Sequence, residues 1–276
     1  MDGPRSDPAN QVVLQARGLE HGYGGHAAEL GPVDLQLSAG RIMALVGSNG
    51  AGKSTLLRLL AGLLDATQGV IHLGQDRIDR LTETQRARRL ALCPQRTSLA
   101  FAFTVREYVG FGPFAAGSRA ASNIVDHWLD RLDLGELAGV PMPRLSVGQQ
   151  QRAAIARAMA QLGWGDLTGK VLLADEPASA LDTRHAGELV SILRTLAERG
   201  LAVIVAAHDL PWAAAVADEA LAIKADGTAL PMSKEGLADP AALERVFGAS
   251  FERFRNDAGD RVVALPALAA AAGPDV

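Results

Sequence analysis

Cysteine is nearly absent from these 276 residues: Cys93 stands alone, so no internal disulfide can form and a reducing compartment, the cytoplasm, is expected. Aromatic residues are scarce, twelve in all, and lysines number only four. The formal charge is −4 and no basic run builds the positive face that a phosphate backbone requires, so nucleic acid is excluded as a partner. Local exceptions such as Arg86-Ala87-Arg88-Arg89 read as a solvated helix face. The segment Met1-Asp2-Gly3-Pro4 lacks the basic and apolar regions of a secretory signal. Long hydrophobic runs are missing too: Leu201 to Ala207 and Val262 to Ala272 fall short of the roughly 20 residues that span a bilayer. If the protein serves a membrane, another chain crosses it. With 48% hydrophobic residues, the chain can bury the core of one large domain, or of a domain with a smaller lobe.

What is present is organised around Gly47-Ser48-Asn49-Gly50-Ala51-Gly52-Lys53-Ser54-Thr55. The apolar run Ile42-Met43-Ala44-Leu45-Val46 reads as a buried strand before it, and Leu56 to Ala61 as a helix after it, the setting of a phosphate-binding loop. Glycines let the backbone curl and aim successive N–H groups at a phosphate, and the helix beginning near Lys53 adds the positive end of its dipole. Lys53 reaches the β- and γ-phosphates, Ser54 offers a hydroxyl to Mg²⁺, and Thr55 bonds a phosphate farther from the scissile bond. Chance produces this pattern in roughly a few such chains per thousand, before the flanking strand and helix are required.

Taken in order, residues 1–11 read as a flexible tail. Val12 to Leu19 and Val33 to Leu37 read as strands around a turn-rich stretch carrying Tyr23, whose ring offers a flat face to a nucleotide base. Short strands follow near Val70 to Leu73, then a helix opened by Thr82 with Gln85 three places on, a capping-box spacing. Leu90 to Cys93 is a buried strand ended by Pro94, and Gln95 beyond it can direct a side-chain carbonyl to Mg²⁺ or to an attacking water. Five of the twelve aromatics fall between Phe101 and Phe114. They read either as the core of a small helical lobe or as a surface groove for a partner helix, and both can hold together.

A second constellation begins at Leu145-Ser146-Val147-Gly148-Gln149, directly before a helix from Gln150 to Leu162. Serine, glycine and a helix N-terminus make either an anion site or an ordinary N-cap. Val171 to Ala174 is a buried strand ending in Asp175-Glu176, whose carboxylates divide the work of a phosphoryl-transfer site: Asp175 toward Mg²⁺, Glu176 toward the nucleophilic water. Strand alternation is expected to point the two apart. Asp182 sits in a turn before a helix striped with Leu189, Ile192, Leu193 and Leu196. His208 ends the strand Leu201 to Ala207, where an imidazole can bond a γ-phosphate.

Together these residues resemble one family, the ATP-binding subunits of ABC transporters, in order and spacing from roughly Val12 to Ile223. Gly47 to Thr55 matches its Walker A loop, Gln95 its Q-loop, Leu145 to Gln149 its signature and Leu172 to Glu176 its Walker B strand with the catalytic glutamate. Tyr23 matches the adenine-stacking aromatic, Ala180 to Asp182 the D-loop and His208 the switch histidine. Two positions depart: Val147 stands where glycine is usual and Ala178 where threonine is common. The resemblance implies an α/β P-loop ATPase fold, with a RecA-like mixed-sheet core, an antiparallel β subdomain and a helical subdomain. Residues 12–250 would form the ATPase domain, about 96–162 its helical part, and 251–276 a C-terminal extension.

The resemblance also implies ATP and Mg²⁺ as cofactors and a head-to-tail homodimer. Each ATP would lie between one P-loop and the other copy's Ser146, Gly148 and Gln149. Two transmembrane permease subunits, a binding protein on the far side of the membrane, and a place on the cytoplasmic face of the cell membrane complete the expectation. Ser98 to Val105, Gly163-Trp164-Gly165-Asp166 and the stretch after Phe247 look similar to importers of iron complexes, haem first, with ferric siderophore and cobalamin as alternatives. A soluble ABC ATPase, a silent docking subunit and an exporter are the rivals. The long insertion or second cassette of the soluble class is missing, and every hydrolytic residue is in place.

Overall fold

The computed structural model describes residues 11–22, 30–95, 101–118, 122–255 and 262–266. The chain opens with β1 (Val12–His21) and β2 (Leu30–Ser38), and β3 (Ile42–Gly47) then runs into α1 (Lys53–Leu60). β4 (Gln68–Leu73), β5 (Asp76–Arg77), α2 (Glu83–Ala87) and β6 (Leu90–Cys93) follow. Three helices, α3 (Val105–Ala115), α4 (Ser122–Arg131) and α5 (Val147–Leu162), precede β7 (Val171–Asp175), α6 (Thr183–Glu198) and β8 (Ala202–Ala206). The remainder is α7 (Leu210–Val216), β9 (Glu219–Ile223), β10 (Ala229–Ser233), α8 (Pro240–Phe247) and a hairpin of β11 (Phe251–Arg255) with β12 (Val262–Pro266).

Two sheets carry the architecture. One is antiparallel, ordered β2-β1-β4-β5, and the other is mixed, ordered β10-β9-β3-β8-β7-β6, with only the β9–β10 pair antiparallel. In β2 the residues alternate, burying Leu30, Val33, Leu35 and Leu37, as expected of a sheet with one face on a core. β3, β7 and β8 are buried at every residue because the mixed sheet is covered on both faces. Ala44, Val46, Val203 and Val205 face a core shared with Ile155, Met159, Leu189 and Leu193. Their neighbours Met43, Leu45, Ile204 and Ala206 face the opposite core, with Leu56 and Leu57 of α1 and Leu14, Leu37 and Leu73 of the antiparallel sheet.

The capping box expected at Thr82 and Gln85 is present, and the same device opens α3 at Thr104 with Glu107 and α5 at Ser146 with Gln149. It places an orphan donor of each helix on a side-chain oxygen, so these helices begin where the sequence dictates. The aromatic segment divides between the two readings. Tyr108 is buried with Val105, Val109 and the fully enclosed Trp128, making the core of the helical part, whereas Phe101 and Phe114 stay exposed. Phe103 lies edge-on to Phe111 at 4.8 Å, so these rings form a surface ridge.

The helical part is fixed by close approach of α3 to α5. A Cβ at Gly112 would collide with the Arg157 carbonyl and lie 2.9 Å from the Gln161 nitrogen, backbone atoms that cannot turn aside. Gly112→Ala therefore forces two helices apart; overpacking of about 1–3 kcal/mol outweighs the helix propensity that alanine brings. Thermal unfolding should move down by about 2–12 °C, at roughly 2–4 °C per kcal/mol for a chain of this size. An unchanged midpoint would show that the helices are free to separate.

Candidate active site

β3, β8, β7 and β6 are adjacent and parallel, and each delivers one part of the site just past its carboxyl end. In an open sheet of this kind that rim is where ligands bind. β3 supplies the loop from Gly47, β8 supplies His208, β7 supplies Asp175 and Glu176, and β6 supplies Gln95.

The loop is built by its glycines. A Cβ on Gly47 would run into the Ile223 carbonyl of β9, and Gly52 caps α1 at φ 101°, a left-handed conformation that a side chain would strain. Inside this turn the Lys53 side chain is 6% exposed, its Nζ donating to the Gly47 carbonyl at 2.7 Å and the Ser48 carbonyl at 3.0 Å. Burial lowers its pKa, against the pull of Glu176 and Asp175 in the other direction. The ammonium is thus stored at the loop's centre.

Asn49, Gly50, Gly52, Ser54 and Thr55 line an open cleft of about 440 Å³ around Lys53. Gln95, Glu176 and His208 close its other side. Ser48 and Ala51 belong to the same turn, where the Ala51 N–H donates to the Ser48 carbonyl. Asp175, the last residue of β7, is 8% exposed and hydrogen-bonded to Ser54. Burial pushes its carboxyl above the usual carboxylate range, opposed by that bond. A hydroxyl and a poorly solvated carboxylate side by side are oxygen ligands of the kind a hard divalent cation takes. Among the described residues no cluster of three or more His, Cys, Asp or Glu side chains could hold a metal by itself.

Glu176 departs from the strand-alternation expectation. β7 stops at Asp175, and Glu176 adopts φ 49°, a left-handed conformation that costs a non-glycine residue on the order of 1–3 kcal/mol. Its N–H donates to the Ala206 carbonyl, and its own carbonyl accepts from the Ser179 N–H and hydroxyl. This turn, not the pleat, sets the side chain's direction. The carboxylate accepts from Gln95 Nε2 at 2.7 Å and lies 3.4 Å from His208 Nδ1.

The other expected residues are elsewhere. Ser146, Gly148, Gln149 and Asp182 do not line the cleft. The Ser146 Oγ accepts from the Gln149 N–H at 3.2 Å, and the Gln149 side chain returns the bond to the Ser146 N–H at 2.9 Å. Gly148 packs so closely on the D-loop that a Cβ would lie 2.8 Å from the Ala180 carbonyl. Asp182 caps α6 by accepting from the His185 N–H. Tyr23 lies outside the described residues. Val147 is 72% exposed at the tip of the Ser146 corner, so it crowds nothing within its own subunit. Val147→Gly should change maximal ATP turnover by less than about tenfold, under 1.4 kcal/mol at the barrier; a rise of several orders of magnitude would mark the natural site as degenerate.

Residues with no individual signal also enter. Ser179 shapes the Glu176 turn, and Asp133, Arg152, Arg184 and His185 form a polar network beside Asp182. Only the i, i+3 spacing of Asp182 and His185 could have been noticed in advance.

A glycine-built phosphate loop feeding a helix at the carboxyl rim of a mixed sheet, with an antiparallel sheet and helices beside it, is the P-loop ATPase fold of ABC proteins. The ABC transporter family model matches residues 30–179. The hemin import ATP-binding protein HmuV of Pseudomonas fluorescens is 40% identical over 86% of this chain and 92% of its own length. Its namesake in Bradyrhizobium diazoefficiens is 42% identical over 75% of this chain and 78% of its own. Among solved structures, a transporter assigned to the metal-chelate ABC type, in an inward-facing conformation, aligns with TM-score 0.76 at 26% identity, over 94% of this chain and 98% of that one. A dimeric bacterial ABC transporter cassette aligns at 0.69 and 26% identity, over 78% of this chain and 95% of its own. The chain belongs to the ABC transporter family, as an ATP-binding subunit. Among the described residues no helix is long and apolar enough to cross a membrane.

Proposed function

We propose that this chain hydrolyses ATP to energise import of haem, working as a homodimer under two membrane permease subunits that receive cargo from a binding protein on the far side. The observation that carries the hydrolytic reading is the Glu176 carboxylate, held by Gln95 on the same cleft as Lys53. The cargo reading is supported by relatives named for hemin import that match most of this chain. Ferric siderophore and cobalamin remain the alternatives to be tested.

Two copies face head to tail, each ATP lying between the P-loop of one and the Ser146-Gly148 corner of the other. That arrangement gives a purpose to a helix N-terminus standing away from its own subunit's cleft. Tyr23 stacks on the adenine, and the N–H groups from Gly47 to Thr55 cradle the phosphates. Glu176 polarises the attacking water, while Lys53 and His208 meet charge developing on the transferred group. Ser54, Asp175 and the Gln95 carbonyl would hold Mg²⁺, which when bound neutralises phosphate charge. Closure excludes water and hydrolysis reopens the dimer; the phenylalanine ridge beginning at Phe101 carries the motion to the permeases at the cytoplasmic face of the membrane. Residues 12–250 act as the ATPase domain, with about 96–162 as its helical part.

Deleting the gene should abolish growth on haem as sole iron source while leaving ferric siderophore and cobalamin uptake intact. Loss of cobalamin or siderophore uptake instead would reassign the cargo.

A further inference from the structure

Beside the Ser146 corner the helical part and the D-loop are joined by side chains. Arg152, on the second turn of α5, is 10% exposed, and its Nη1 donates to the carbonyls of Leu132 and Asp133 at 2.7 and 2.8 Å. Asp133 follows α4 with φ 53°, a left-handed turn tolerated by aspartate more than by most residues. That turn presents the Asp133 carboxylate to α6: Oδ2 lies 3.4 Å from Arg184 Nη2 and 3.8 Å from His185 Nε2.

The bonds of His185 fix its proton. Arg184 Nη2 lies 2.8 Å from His185 Nε2, and a guanidinium can only donate, so Nε2 holds the lone pair. The proton is therefore on Nδ1, donated to Asp182 Oδ2 at 2.8 Å, while the His185 N–H donates to Asp182 Oδ1 at 2.9 Å. Both carboxylate oxygens of Asp182 are engaged by one residue. The imidazole is 15% exposed, whereas Asp133, Asp182 and Arg184 are mostly exposed. Exposed ion pairs contribute little to stability, so the network is poorly explained as a fold-holding device.

Its position explains it better. Two residues before Asp182, the Ala180 carbonyl packs on Gly148, and Arg152 sits on the helix that Ser146 caps. We propose that His185 is a positioning residue which, through Asp182 on one side and Arg184 and Asp133 on the other, locks the D-loop and the Ser146-Gly148 corner into one rigid surface for a nucleotide held by a second copy of this chain. It rests on the two-copy reading above. His185 does not line its own subunit's cleft, so on the two-copy reading the nucleotide it serves is the partner's.

The test compares His185→Leu, which removes both imidazole bonds, with His185→Asn, whose amide N–H takes the place of Nδ1–H toward Asp182. Turnover of Mg-ATP by the full-length chain should fall about tenfold or more in His185→Leu and stay within about threefold of normal in His185→Asn. A fluorescent ATP analogue, titrated at concentrations where the chain is monomeric, should bind both variants within about twofold of the parent. In a Glu176→Gln background, where ATP-driven dimers should accumulate by size exclusion, adding His185→Leu should abolish them. Normal turnover in His185→Leu, equal losses in both variants, or dimers undiminished in E176Q/H185L would overturn the positioning role and leave the two-copy reading standing. Failure of E176Q alone to dimerise with ATP would overturn both.

Discussion

Glu176→Gln is expected to bind ATP with undiminished affinity, to hydrolyse it slower by a factor on the order of 10²–10⁴, and to accumulate as an ATP-bound dimer. The substitution preserves volume and leaves a carbonyl oxygen to accept from Gln95 Nε2, now 2.7 Å from the carboxylate. The left-handed turn at φ 49° is held by Ala206 and Ser179 through backbone atoms, so it persists. What disappears is a base able to take a proton from water. The same replacement leaves His208 without a negative partner at 3.4 Å, so loss of Glu176 also frees the imidazole for phosphate. Steady-state phosphate release and size exclusion with Mg-ATP read the two effects. Near-normal turnover would remove Glu176 from its role.

Asp175→Asn should separate stability from activity in opposite directions. The carboxyl is 8% exposed and its pKa is raised, first by burial and further by Glu176, with the Ser54 bond opposing. A carboxyl whose folded pKa lies above its unfolded value favours folding when protonated and costs stability as pH rises through the folded value. At neutral pH the nucleotide-free protein therefore carries that cost. Asparagine keeps an acceptor for Ser54 and removes the charge. Without nucleotide, the variant's unfolding midpoint should rise by about 2–4 °C, on the order of 1 kcal/mol. The gain should shrink toward acid pH, where Asp175 itself is neutral. With Mg-ATP the order should invert, and turnover should fall by a factor on the order of 10² or more. A midpoint lowered at every pH would mean that Asp175 is a structural hydrogen-bond partner.

The same contrast between local and distant causes separates what was legible in advance. Cys93 was expected in a buried strand, and the structure places it inside β6 with its thiol pushed up to about 12 by burial. The strands of the parallel sheet were visible as short apolar runs because burial on both faces leaves no polar alternation. β9, β10 and β11 carried no comparable signal, whereas β12 falls within the apolar run that begins at Val262. Ala220 and Ala222 of β9 are small and Pro231 interrupts β10, so their strand state comes from pairing with neighbours. The direction of Glu176 has a related cause: alternation assumes that the strand continues, and β7 ends one residue earlier.

The amino-acid sequence by itself determined the P-loop, the capped helix starts and the buried strands. Each depends on residues within a few positions of one another, acting through backbone dihedrals, side-chain caps and hydrophobic period. Only the tertiary structure decided that Gln95, Glu176 and His208, spread over more than a hundred residues, share one cleft with Lys53. That convergence follows from the strand order β3-β8-β7-β6, which the crossover helices impose when each buries its apolar stripe against the sheet. The tautomer of His185 and its link through Arg184 to Asp133 belong to the same class, because they arise where separate elements pack together.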